Sequence, residues 1–173
     1  MPSSASQPKP RRNIIAGERV KLRVKGLDVL LRPWFAHGPH RGMGVLTTIG
    51  RKSGKERRHA VRAIRAADRA YLVSIPGRHA AWLLNIRANP HVRLQCRGAA
   101  FTGTAKELSA GPERDAARAV YVGTVNAADY IECFLHWHGV PARWKIQQLH
   151  TMWFDGGIPV VIDLEPTSAS SVW

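Results

Sequence analysis

The sequence predicts a mainly β, α+β chain: a small barrel of about six to seven antiparallel strands with added helices. Short strand-like runs at 43–49, 57–66, 69–75, 91–97 and 99–108 are separated by tight turn signals. A continuous apolar run, Ile158-Pro-Val-Val-Ile-Asp-Leu164, supplies a last strand, with Pro159 tolerable near its start. The stretches between and after these runs carry helix signals instead.

Taken in order, Gly50 to Gly54 and Ala66-Ala-Asp-Arg69 have hairpin lengths, and Arg97-Gly-Ala99 marks another tight reversal, so the strands read as a meander. His79 to Ala88 reads as a short helix ended by Asn89-Pro90. Pro112 to about Thr124 begins like a helix, with Pro near the first turn and Glu113 and Asp115 placed well for the dipole. Asp129 to Trp137 makes another. Ahead of the strands, Val20, Val24, Leu27 and Leu31 recur at helical spacing among Arg19, Lys21, Arg23, Lys25 and Arg32. This predicts a basic amphipathic helix, although Val20, Leu22 and Val24 also alternate as a strand would.

The 173 residues, 45% of them hydrophobic, suffice for one core. We expect a basic, Ser- and Pro-rich tail at 1–12, one domain at 13–166 and a short tail at 167–173. No apolar run approaches the roughly 20 residues of a membrane span, and the first residues lack the apolar centre of a signal peptide. The expectation is a cytoplasmic protein whose basic helix is suited to touching an anionic membrane. Cys96 and Cys133 are too few and too far apart for a disulfide framework and read as buried apolar side chains.

Charge is concentrated. Residues 1 to 58 hold 14 Lys or Arg against 3 Asp or Glu, which is +11 of the formal +14. Such a chain attracts polyanions, so nucleic acid, membrane and a multiply charged coenzyme are all candidates from charge alone. The densest cluster, Arg51, Lys52, Lys55, Arg57 and Arg58, sits at a turn hinged by Gly50 and Gly54. We expect an anion site there, with backbone N–H groups converging beside the cationic side chains. It is not a P-loop, because Lys55 is followed by Glu56 and Ile49 stands where the first glycine would be. Cys133, His136, His138 and the more distant His150 do not form a well-spaced metal set, and no metal is predicted.

The runs Leu46-Thr-Thr-Ile-Gly-Arg-Lys-Ser-Gly54 with Arg57, Ala81-Trp-Leu-Leu-Asn85 with Ala88-Asn-Pro90, and Ile158-Pro-Val-Val161 with Leu164-Glu-Pro166 resemble the deazaflavin-dependent nitroreductase family. The resemblance spans about 20 to 166 and implies a split β-barrel oxidoreductase that uses coenzyme F420. That coenzyme ends in a phosphodiester and an oligoglutamate tail, which matches the cationic turn. The resemblance places Lys52 and Arg57 at its anionic part. Thr48, Gly50, Arg51, Ser53 and Arg58 complete the candidate set on the hairpin. Ser74, Ile75, Gly77, Arg78, Trp82 and Asn85 are candidates around the ring system, with Ser74 the catalytic candidate nearest the reacting ring. Trp82 also reads as a core aromatic, and Asn85 as a helix-end hydrogen bond.

The chemistry implied is hydride transfer from the reduced deazaflavin to an electron-poor small molecule such as a quinone, enone or nitro compound. Tyr121, Tyr130 and Trp137, with Trp153, are the candidate substrate wall in the helical region after the barrel strands. Flavin mononucleotide is the less favoured cofactor, and the chain is expected to be a monomer or homodimer. Two rivals differ in class. One is a non-catalytic carrier of deazaflavin, flavin or a lipid-like ligand at a membrane. The other is a nucleic-acid-binding module, disfavoured because the basic residues lack interleaved aromatics or a recognition helix.

Overall fold

The computed structural model describes residues 42–75, 77–96, 98–136 and 140–165. The predicted tails, the basic helix at 19–35 and Trp137 lie outside these residues.

Seven strands form one antiparallel sheet: β1 (Met43–Ile49), β2 (Glu56–Arg62), β3 (Ile64–Ala66), β4 (Arg69–Ser74), β5 (His91–Cys96), β6 (Ala99–Glu107) and β7 (Ile158–Glu165). Four α-helices accompany them: α1 (Ala81–Ala88), α2 (Pro112–Gly123), α3 (Ala127–His136) and α4 (Arg143–Gly156). The single strand expected over 57–66 is interrupted at Ala63, and the helix expected over 79–88 is interrupted at Ala80, whose backbone is extended. Helix α4 was legible only as part of a helical region.

The hairpins β1–β2, β3–β4 and β5–β6 form as their turns dictate, with Ile49 opposite Glu56, Ala66 opposite Arg69 and Cys96 opposite Ala99. The meander expectation is corrected by the order β2-β1-β5-β6-β7-β4-β3. β1 pairs with β5 across the whole β2–α1 excursion, and β7 inserts between β6 and β4. Although four strands separate β2 from β4 in this order, the two touch, so the sheet curls towards closure. That curl is the split barrel.

Alternation along the strands divides the core in two. Ala70, Leu72, Val160 and Ile162 point into the barrel, where they meet Leu46, Leu94 and the α1 residues Leu83 and Ile86. Their neighbours Tyr71, Val73 and Val161 point outward and are covered by Ala117 and Tyr121 of α2 and Phe154 of α4. A strand buried on both faces reads as an unbroken apolar run, which is why 158–164 stood out in the sequence. No helix among the described residues is long and apolar enough to cross a membrane.

Candidate functional site

The cationic turn is the tip of the β1–β2 hairpin, and its loop is wound tightly upon itself. Gly50 N–H donates to Lys55 O at 2.8 Å, while Ser53 and Gly54 N–H both donate back to Gly50 O at 3.1 and 2.7 Å. Gly54 has φ +63°, a conformation that disfavours a side chain. A Cβ on Gly50 would lie 2.8 Å from Ser53 Oγ and 3.1 Å from Lys55 O. Arg51 N–H donates to Asn85 Oδ1 at 3.2 Å, and Lys55 N–H to Ser53 Oγ at 3.4 Å. The N–H groups of residues 50, 51, 53, 54 and 55 are thus committed inside the protein. This corrects the expected backbone cradle: these N–H groups do not converge outward, and the loop presents its side chains instead.

Those side chains are available. Residues 51 to 58 are exposed. Among the described residues, none of Arg51, Lys52, Lys55, Arg57 and Arg58 forms an ion pair; the nearby Glu56 is taken by Arg93 at 2.5 Å. Arg57 Nη2 lies 3.5 Å from Ser53 Oγ, and Arg58 Nη2 lies 3.5 Å from Gln95 Oε1. Uncompensated guanidinium and ammonium groups at this density repel one another and favour an anionic occupant.

The hairpin is braced from below. Asn85 is buried on α1; its Nδ2 donates to the buried Thr48 Oγ1 at 3.0 Å, and its Oδ1 accepts from Arg51 N–H and, at 3.4 Å, from Arg51 Nη1. Its backbone carbonyl also takes the Asn89 N–H at 2.8 Å, which ends the helix before Pro90. Thr48 and Asn85 therefore fix the root of the cationic loop. Helix α1 begins just after the loop that follows β4, so it ties the two predicted halves of the site together. In that loop Ile75 and Arg78 are exposed, and Trp82 is partly buried against the barrel core. Ser74 has no exposed surface, and its hydroxyl donates to Gly77 O at 2.9 Å. As it stands, Ser74 closes the turn and has no surface with which to touch a ring.

Of the candidate substrate wall, Tyr130 is exposed on α3, but Tyr121 is 1% exposed in the second core. Tyr121 faces inward from α2, packed against the sheet and Phe154 of α4, where it has no surface to offer a substrate, and that burial raises its phenol pKa. Trp153 is likewise buried.

Beside Tyr121 lies a buried cluster that sequence reasoning missed. Arg62 ends β2, and its Nη1 pairs with Asp129 Oδ1 on α3. Its Nη2 donates to Thr124 O at 2.9 Å and lies 3.4 Å from His150 Nδ1 on α4. Because a guanidinium only donates, His150 Nδ1 must be the acceptor; the ring proton then sits on Nε2, 3.8 Å from Asp129 Oδ1. Burial, and then the adjacent Arg62 charge, push His150 down to about 4, so the ring is neutral near pH 7.

The curled antiparallel sheet is a split-barrel fold, and its braced hairpin presents cations that have no acidic partner among the described residues. The family model for F420H(2)-dependent quinone reductase matches residues 36–133, more than half of the chain, and the chain belongs to that family. It is an oxidoreductase whose coenzyme is F420. Among solved structures, an F420-H2 dependent reductase (FDR-A) is 26% identical, covering 74% of this chain and 100% of that one with a TM-score of 0.47. A chain described as a domain-swapped dimer is 25% identical, with coverage of 86% and 100% and a TM-score of 0.49. General stress protein 26 from Bacillus anthracis is 16% identical, with coverage of 72% and 86% and a TM-score of 0.43.

The hairpin fits the coenzyme's anionic part. A phosphodiester and several glutamates need several cations without internal partners, and the exposed set from Arg51 to Arg58 provides them on a root that cannot shift freely.

Proposed function

We propose that this chain reduces a quinone, or a similarly electron-poor enone or nitro compound, with reduced coenzyme F420 held at the β1–β2 hairpin. The observation that carries the reading is the braced loop of five cationic side chains without an acidic partner among the described residues. Lys52 and Arg57 hold the phosphodiester and glutamate tail, with Arg51, Lys55 and Arg58 adding charge. Arg supplies paired donors and Lys a compact charge. Ile75, Gly77 and Arg78 border the ring system, Ser74 sets the shape of their loop, and Trp82 supports it from the barrel side. Thr48 and Asn85 act on the coenzyme through the root of the hairpin.

When bound, the reduced coenzyme supplies hydride, which its deazaflavin ring donates as a two-electron unit. The protein's share is to fix the coenzyme against the acceptor and to keep water from the space between them. The acceptor approaches from the side of helices α2 to α4, where Tyr130 is exposed.

Fluorescence titration with coenzyme F420, beside flavin mononucleotide, at low and physiological salt tests the reading. Saturable, selective F420 binding that survives salt and is followed by turnover with a quinone is the expected result. Tight binding with no turnover would instead make the chain a coenzyme carrier. Binding to any polyanion that vanishes with salt would return the basic patch to nucleic acid or a membrane.

A further inference from the structure

Six large apolar side chains are exposed among the described residues, and five of them lie between positions 130 and 144. Three, Tyr130, Ile131 and Phe134, belong to α3, where the helical repeat gathers them into a stripe about 100° wide. The buried Asp129 and Cys133 fall outside that stripe. The other two are Val140, just ahead of α4, and Trp144, in its first turn, and α4 packs against α3. Phe134 is in the last turn of α3, so the short connection places it and Trp144 at one end of the helix pair. Phe134 is 64% exposed and Trp144 60%, and apolar surface gathered in this way marks a place of contact.

The charge around this surface has one sign. Residues 133–154 contain no Asp or Glu, and Arg143 and Lys145 flank Trp144. Of the carboxylates on α3, Asp129 is buried against Arg62, and Glu132 is half-buried with its charge felt at the Tyr121 phenol. At the other end of α4, Asp155 is taken by Arg118. Lys145 Nζ lies 5.6 Å from the centre of the Trp144 ring and donates to Val140 O at 3.0 Å, so ammonium, indole and loop are held together at the surface.

We infer that this face of α3 and the start of α4 dock on an anionic phospholipid bilayer. Ile131, Phe134 and Trp144 enter the boundary between headgroups and acyl chains, where the Tyr130 ring also sits, and Arg143 and Lys145 meet the phosphates. The contact is peripheral, since no helix among the described residues is long and apolar enough to cross a membrane. A second copy of the chain is the poorer occupant: its matching face brings cations and no carboxylate, and each chain carries a formal +14. The inference rests neither on the basic run at 19–35 nor on the reductase reading.

The test is co-sedimentation of the full chain, at physiological salt, with phosphatidylcholine vesicles made with and without phosphatidylglycerol. The wild type is expected to partition onto the vesicles that contain phosphatidylglycerol. Ile131→Ser/Phe134→Ser/Trp144→Ser, folded by circular dichroism, should lower that partitioning by about tenfold or more. Arg143→Gln/Lys145→Gln should lower it by about fivefold or more and flatten the dependence on phosphatidylglycerol. Wild-type partitioning in the folded triple variant would overturn the inference, because other cations would then carry the binding. So would a wild type that ignores the vesicles, above all one that self-associates in solution and becomes monomeric in the triple variant. Should the triple variant not fold, Trp144→Phe decides: lipids brominated on their acyl chains should quench the tryptophan fluorescence of the wild type more than that of the variant, and equal quenching would remove Trp144 from the bilayer and overturn the inference.

Discussion

The two ends of β2 put the same side chain to opposite uses. At one end Arg57 and Arg58 are exposed, and neither has a carboxylate partner among the described residues. At the other, Arg62 is 9% exposed and engaged with three helices. Exposed cations contribute little to folding and remain free to bind. A buried one contributes only through its partners, and its loss leaves them stranded. The strand thus separates exposed cations from a buried, engaged one over a few residues, and variants at either end should have effects that do not overlap.

The largest expected effect on stability is at the buried end. Arg62→Met alone leaves Asp129 as an unpaired buried charge and should cost about 3–5 kcal/mol in urea unfolding. A loss below about 1 kcal/mol would show that Asp129 is solvated or protonated and would dissolve the contrast. At the exposed end, Lys52→Ala/Arg57→Ala should weaken coenzyme F420 binding by about 2–4 kcal/mol in titration while changing stability by no more than about 0.5 kcal/mol. Unchanged affinity would remove the hairpin from the coenzyme site.

Between these lies the brace. Asn85→Ala strands the Thr48 hydroxyl and the Arg51 amide, and should cost about 1–3 kcal/mol of stability together with a smaller loss of coenzyme affinity. A change in stability alone would mean that the loop keeps its shape without its support.

The smallest effect is in pH dependence. His150 titrates near 4 in the folded chain, below the roughly 6.5 of an unfolded histidine. The unfolded chain therefore takes up this proton first as pH falls. The stability associated with the neutral ring is complete above about pH 6.5, declines towards pH 4 and loses nothing further below it. Urea midpoints measured across that window should fall less steeply for His150→Asn than for the wild type, and parallel curves would exclude the ring as their source.

Much of the first end was readable in the sequence because it is local. Gly50, Gly54 and five cations within nine residues specify a charged hairpin whatever the rest of the chain does. Even there, the fate of the backbone amides was not legible, since it depends on Asn85, which arrives from α1. The second end was hidden for the same reason on a larger scale. Nothing near Arg62 in the sequence distinguishes it from Arg57 or Arg58, and its partners Thr124, Asp129 and His150 lie 62 to 88 residues later. His150 was visible only as a remote member of a poor metal set. Tyr121 looked like a substrate contact because an aromatic on an amphipathic helix does not announce which layer will cover it. The strand order failed similarly: hairpin turns specify neighbours, but the β1–β5 and β4–β7 pairings are long-range choices made by the closing barrel.

β2 is also an outer strand of the described sheet, with β1 on one side and no strand pairing on the other. Open edges recruit strands from other molecules, and charged side chains along them oppose such recruitment. The arginines proposed for the coenzyme would also oppose such recruitment at the hairpin end of this strand. A chain stripped of them should be less tolerant of high concentration, and the wild type should be least protected when salt screens that charge.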